Sequence, residues 1–247
     1  MNNINLIGVG TGNLEHLTLE AINILNESDL ILLPKKSEDT KDLINLRYEI
    51  CSKYLKIKNN NLVEFKVPKR NKEKIYSISV SDWHEKLAMS WDKAIKSFKG
   101  KKNNISLLIW GDPCLYDSSI KISKVLFPET NISIIPGITS IQVLLSEHKI
   151  TLNNVGKSVQ ITTGRNLKSV GFQKYENRTI VLLDGECSFK YLKDKNYYIW
   201  WGAYLGMKKQ ILIKGKLNEV GYKIIDARSK ARKKYGWIMD TYLLEKL

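Results

Sequence analysis

Residues 4 to 12 read INLIGVGTG, followed by LTLEAINILN at 17 to 26 and LILLP at 30 to 34. The third run and, but for Asn5, the first as far as Val9 are short and apolar, the pattern of strands buried on both faces. Leu17, Ala21, Ile24 and Leu25 between them fall at helical spacing. Two such strands joined by a helix make a βαβ unit, because parallel strands need a crossover. The stretch therefore sets the chain as α/β.

Outward from it the alternation continues. Leu43, Leu46, Ile50 and Tyr54 mark a second helix, and LVEFKV at 62 to 67 alternates as a half-buried strand. Residues 71 to 78 are polar and read as a loop. Trp83, Leu87, Trp91, Ala94, Ile95 and Phe98 form the stripe of a long helix ending at Gly100, and ISLLIW at 105 to 110 is the next buried strand. A helix is expected over 118 to 126, a strand over 132 to 135 and a helix from about Thr139. Beyond these, strands are expected at 158 to 163, 179 to 183, 197 to 201, 210 to 214 and 237 to 243, with helices near 187 to 193 and 221 to 234. The change from regular alternation to closer-spaced strands predicts two domains, 1 to 115 and 116 to 247.

Composition narrows the class. The chain has 247 residues, of which 43% are apolar, 26% charged and 5 are proline, as in a folded protein with a sizeable core. No apolar run approaches the roughly 20 residues of a membrane-spanning helix. The start lacks the basic, apolar and small-residue segments of a signal peptide, so the expected location is cytoplasmic. Cys51, Cys114 and Cys187 are widely spaced without a paired CxxC, which predicts reduced thiols and no metal site. The histidines, His16, His84 and His148, are isolated in sequence.

The formal charge is +15, from 40 Lys plus Arg against 25 Asp plus Glu. The cations are scattered, the densest run being Arg228 to Lys234. They fit either a solvated surface or attraction to an anionic partner. Nucleic acid is compatible with the charge alone, but no zinc finger, RRM-type aromatic motif or heptad-bearing basic region is present.

Three loops follow apolar strands, where open α/β sheets bind ligands. The first is Gly8-Val9-Gly10-Thr11-Gly12. The third glycine of a GxGxxG pattern would fall on Asn13, no acid follows the second strand, and no GK[ST] is present, so neither a dinucleotide nor a Walker reading holds. The second is Trp110-Gly111-Asp112-Pro113-Cys114-Leu115-Tyr116-Asp117, which delivers the Asp112 carboxylate at a strand end. The third is Ile135-Pro136-Gly137-Ile138-Thr139-Ser140, with hydroxyls and amides at a helix start.

In this order and at these separations the loops resemble the tetrapyrrole methylases, which methylate corrin and porphyrin precursors with S-adenosylmethionine. WGDPCLYDSS, IPGITSIQ, ITTGR, LLDGE, WWGAYLG and GWIMDTYLL make the chain most similar to the deacetylating branch of that family. The family motif usually has proline where Thr11 stands, and the departure itself resembles this branch. The resemblance implies two α/β domains with an active-site cleft between them, a homodimer, and an anionic tetrapyrrole substrate with no membrane partner. It implies cofactor contacts at Trp110, Gly111, Asp112, Leu115, Thr139 and Ser140, and at Asp184 in place of a common methionine. Gly10, Thr11 and Gly12 would lie beside the tetrapyrrole, with Arg165 facing its carboxylates. The implied reaction is methyl transfer to ring carbon 1 of precorrin-5 with release of acetate. Methylation at another ring carbon is the neighbouring alternative, since ring position is set by site shape rather than by the shared loops. Methyl transfer needs alignment more than side-chain chemistry. Deacylation needs a base, for which Asp112 is the first candidate, with His84 and Glu186 behind it.

Overall fold

The computed structural model describes residues 3–35, 41–56, 61–69, 76–126, 131–173 and 176–247. The chain divides into two compact units, Met1–Thr139 and Ser140–Leu247.

The first unit runs β1 (Asn3–Gly8), α1 (Leu19–Asn26), β2 (Leu30–Lys35), α2 (Lys41–Tyr54), β3 (Leu62–Lys66), α3 (Tyr76–Ser97), β4 (Asn104–Ile109), α4 (Ser119–Leu126) and β5 (Asn131–Ile135). Its strands form one parallel sheet in the order β3-β2-β4-β1-β5. The continuous apolar runs follow from helices covering both faces. On one face Ile4, Leu6, Leu30, Leu32, Ile105 and Leu107 meet Leu87, Trp91, Ala94 and Ile95 of α3. On the other, Ile7, Ile31, Leu33 and Leu108 meet Ala21 and Leu25 of α1 and Leu46 and Ile50 of α2. Each fully buried Ile or Leu contributes roughly 1.5–3 kcal/mol. Trp91 is 2% exposed and stands edge-on to Phe65 at 6.0 Å between ring centroids.

Pro34 lies within β2 instead of stopping it. β4 pairs with β2 only as far as Leu32, so at Pro34 the strand has β3 alone beside it and the missing N–H costs no ladder bond on the other side. α3 begins at Tyr76, inside the expected 71–78 loop, whose first residues lie outside the described ones. The units meet at Thr139 and Ser140 and not at 115/116, because β5 pairs with β1 and α4 packs on that same sheet.

The second unit runs α5 (Ser140–His148), β6 (Gln160–Thr163), α6 (Gly164–Val170), β7 (Arg178–Leu182), β8 (Tyr197–Ala203), β9 (Ile211–Lys216), α7 (Leu217–Tyr235) and β10 (Asp240–Lys246). Its sheet is mixed, in the order β6-β7-β10-β8-β9, with β6 and β7 parallel and the other pairs antiparallel. The helix expected at 187–193 is a 3-10 turn over Ser188–Tyr191. The final strand starts at Asp240 and not at 237, because Trp237 packs on Tyr204 at 5.1 Å and its carbonyl accepts the Tyr204 hydroxyl at 2.5 Å.

Arg178 and Glu245 join the first residue of β7 to β10 through two bonds, Nε to Oε1 at 3.0 Å and Nη2 to Oε2 at 3.1 Å. Arg178 Nη1 also donates to the Thr151 carbonyl at 2.8 Å. Burial alone would raise the Glu245 carboxyl, but the bonds from Arg178 and Asn154 override it and hold the group below its ordinary value. A depressed carboxyl stabilises the fold above its unfolded pKa and loses that contribution as pH falls through the folded value. Arg178→Met should therefore destabilise the protein by about 3 kcal/mol near neutral pH, since it strands a largely buried carboxylate. Urea unfolding from pH 7 to pH 3 checks this, and a destabilisation independent of pH would overturn it.

Candidate functional site

In the first sheet β1 and β4 are neighbours, yet the chain leaves β1 towards β2 on one side and leaves β4 towards β5 on the other. This is a topological switch point, where loops diverge beyond the carboxyl ends of the strands and leave room for a ligand. The loops after β1 and β4 are joined there by an antiparallel bridge. Gly111 N donates to the Gly10 carbonyl at 2.9 Å and Gly10 N to the Gly111 carbonyl at 3.2 Å.

The third loop closes on the other two. A Cβ on Gly137 would fall 2.2 Å from the Gly111 carbonyl oxygen, so no side chain fits. Gly111 has a different requirement. Its φ is +70°, disfavoured for L side chains, while the space where a Cβ would stand is open to 4 Å. Close packing thus fixes Gly137, and an unfilled face remains at Gly111. Asp112 ties the arrangement: Oδ1 accepts from Cys114 N at 2.7 Å and Oδ2 from Gly137 N at 2.8 Å. Both carboxylate oxygens are bonded to backbone amides, so Asp112 acts first as a clamp between the second and third loops. The Cys114 thiol bonds the carboxylate as well, which leaves one of its four lone pairs.

Around this clamp, Trp110, Leu115 and Thr139 are half-buried. Thr11 is 5% exposed, and its hydroxyl has no hydrogen-bond partner. His16 Nδ1, in the 3-10 turn after the same loop, is likewise buried and unpartnered. Buried orphans of this kind are rare because each costs desolvation, so they mark places for a ligand atom or water. Sequence reading passed over His16 because an isolated histidine carries no spacing signal. It also passed over Arg47 of α2, which is 6% exposed and donates from Nε to the Leu108 carbonyl at 3.1 Å and from Nη1 to the Leu43 carbonyl at 2.7 Å. Burial lowers its pKa to about 10, offset in part by Asp117, so it stays charged at neutral pH.

His84 lies on α3 beside the Trp83 ring, at 5.6 Å. Burial first, and Lys121 second, lower its pKa against the pull of Asp117, which favours the neutral imidazole. Its Nε2 is buried without a partner, and none of the hydrogen bonds to Asp112 comes from His84.

In the second unit Asp184 follows β7 and is 4% exposed. Its carboxylate accepts from Ser188 N at 2.5 Å, Ser188 Oγ at 2.9 Å, Glu186 N at 3.0 Å and Tyr242 Oη at 2.7 Å. Burial, then Asp184, pushes the Tyr242 hydroxyl far up, so it remains a donor. The Asp184 side chain is turned inward and saturated, which leaves only its backbone to offer a cofactor. Arg228 braces the same loop, donating to the Asp184 carbonyl at 2.9 Å and to Asp240 at 3.0 Å. Ser140 Oγ accepts from Thr241 Oγ1 at 2.9 Å, and Arg165 is exposed in the first turn of α6. Glu186 is exposed and held by Lys168 Nζ at 2.9 and 3.1 Å and by Tyr191 Oη at 2.9 Å; these bonds keep it below its ordinary pKa and make it a poor base.

The two glycine requirements are separable by substitution. Gly137→Ala should cost about 2 kcal/mol or more, because backbone must move to admit the methyl group, and Gly111→Ala about 1 kcal/mol for its φ alone. Urea unfolding of both variants checks the ranking, and equal costs would overturn the close-packing account.

The family model for Tetrapyrrole (Corrin/Porphyrin) Methylases matches residues 3–221. The chain is 42% identical over 251 aligned positions to a precorrin-6A synthase [deacetylating] of Sinorhizobium sp., covering 100% of this chain and 96% of that protein. A crystal structure from Corynebacterium diphtheriae, of a protein described as related to cobalamin synthesis, superposes with TM-score 0.84 at 33% identity, covering 100% of this chain and 99% of that one. The uroporphyrin-III C-methyl transferase of Thermus thermophilus, solved with S-adenosyl homocysteine, shares the fold at TM-score 0.60 and 16% identity, over 99% of this chain and 97% of that one. With a family match over most of its length and whole-chain similarity to such a relative, the chain belongs to the tetrapyrrole (corrin/porphyrin) methylase family.

Proposed function

We propose that the chain is a deacetylating precorrin-6A synthase of cobalamin biosynthesis. It transfers a methyl group from S-adenosylmethionine to ring carbon 1 of precorrin-5, consumes one water and releases acetate. The observation that carries the reading is the 42% identity across the whole chain to the Sinorhizobium protein of that name. The homodimer and the anionic tetrapyrrole substrate belong to the same proposal.

The residues fit the cofactor. The open face at Gly111 admits a close approach, Trp110 and Leu115 supply half-buried apolar walls, and the Asp112 carboxylate keeps one lone pair for a polar group. S-adenosylmethionine, when bound, supplies an already activated sulfonium methyl. What the chain must add to methyl transfer is alignment, and the second and third loops, clamped together by Asp112, hold their atoms in place before the ligand arrives. Thr139 belongs to the same first-unit set. On the substrate side, Gly10, Thr11 and Gly12 bring backbone and the unpartnered Thr11 hydroxyl. Asp112 contributes by positioning. Of the three titratable candidates for activating water, His84 keeps an unengaged ring nitrogen, whereas the Asp112 and Glu186 carboxylates are already bonded.

Two measurements test the reading. Incubation with methyl-labelled S-adenosylmethionine and precorrin-5 should give label in the corrin and an equal amount of acetate; absence of both would sink the assignment, and label without acetate would move it to another ring position. Calorimetry with S-adenosylhomocysteine should show binding weakened about tenfold by Asp112→Ala, corresponding to about 1.4 kcal/mol for one charged hydrogen-bonding group. Equal affinities would remove Asp112 from the site.

A further inference from the structure

The second unit carries a groove of about 580 Å³ between the loop after β7 and the second half of α7. Lys190, Arg228, Arg232 and Lys233 line it, with Glu186 as the carboxylate among the described lining residues. That carboxylate is already neutralised, since Lys168 and Tyr191 engage both its oxygens. Arg228 is 8% exposed and is locked by Asp240 and the Asp184 carbonyl, so it forms a rigid floor whose charge Asp240 already pairs. Lys190, Arg232 and Lys233 make no ion pair among the described residues, unlike Lys230 of the same helix, which pairs with Asp226 at 2.7 Å.

Cations in the last turn of a helix are favoured by its dipole, and that accounts for Arg232, Lys233 and Lys234 along α7. It does not account for Lys190, which comes from a separate segment and adds its charge to the same concave surface. Like charges gathered in a groove repel, and the repulsion is relieved by a counter-anion. Gly185, which also lines the groove, would place a Cβ in open space, so its side is accessible to a ligand. The carbonyl end of α7 opposes an anion, so a ligand with a single charge gains little there.

We infer that this groove binds a small polyanion, one bearing two or more carboxylate or phosphate groups. Lys190, Arg232 and Lys233 supply the contacts, over the fixed floor that Arg228 makes. Calorimetry on the full chain at low salt, with inorganic pyrophosphate and with tricarballylate as separate probes, distinguishes the two anion chemistries. At least one probe should titrate at one per chain and be weakened tenfold or more by Arg232→Gln with Lys233→Gln. S-adenosylhomocysteine affinity should be unchanged in that variant, its melting temperature should fall by no more than the loss of two helix-terminal cations explains, and Lys230→Gln should bind as wild type. Titration by pyrophosphate alone assigns phosphate, and by tricarballylate alone carboxylate. If neither probe saturates, if the double variant binds as wild type, or if Lys230→Gln loses as much, the inference fails, whatever the outcome with precorrin-5.

Discussion

The close approach of Gly137 to Gly111 is the constraint on which the first unit's site depends. A methyl group at Gly137 would overlap the Gly111 carbonyl, and a Cβ on Gly8 would come within 2.6 Å of Gly137 N. Three loops from strands far apart in sequence therefore meet with backbone against backbone. Only then can one short carboxylate span from Cys114 N to Gly137 N and fix two of the loops at once. The parallel sheet matters here because it delivers β1, β4 and β5 with their carboxyl ends at the same edge.

The second unit solves a similar problem with different parts. Its loop after β7 has left-handed backbone at Leu183 and Cys187, with φ of 52° and 59°, where side chains are present and glycine is not. Such conformations cost about 1 kcal/mol or more each and persist only where surroundings impose them. The surroundings are the four donors on Asp184 and the Arg228 bond to its carbonyl. A buried acid thus does by hydrogen bonding what glycine does in the first unit by absence of bulk. Asp240 shows the cost of such burial. Desolvation raises its pKa despite Arg228, and bonds from Arg228 and Trp201 are what keep the group satisfied.

Much of the first unit was legible because its signals were redundant. ISLLIW is apolar at every position but Ser106, as a strand covered on both faces must be, and the Trp83, Leu87, Trp91 stripe has one helical reading. The domain boundary was not legible, because NISII looks the same whether it closes one sheet or opens another; pairing with β1 is a long-range fact. The short α6 was missed for a local reason: it starts on Gly164, with Leu167 as its buried apolar anchor, so no periodicity builds up. Of the site, the loops were visible through Gly and Pro. The direction of the acids was not. Asp112 and Asp184 both follow apolar strands and precede small residues, yet one is half-exposed between loops and the other is sealed inside. What separates them is Tyr242 and Ser188, residues no spacing rule connects to Asp184.

The excess of positive charge takes its meaning from where low dielectric surrounds it. Exposed lysines are screened within about 8 Å at physiological salt, so their number says little about a ligand at any one place. Arg47 is different: it is buried, bonded to two carbonyls rather than to a carboxylate, and stays ionised because its pKa remains near 10. It donates to the Leu108 carbonyl, one residue before β4 ends, so its field acts at the base of the second loop. It holds the strand end on which Gly111 and Asp112 are mounted, with its charge beside Asp117, whereas the scattered surface lysines contribute mainly to solubility.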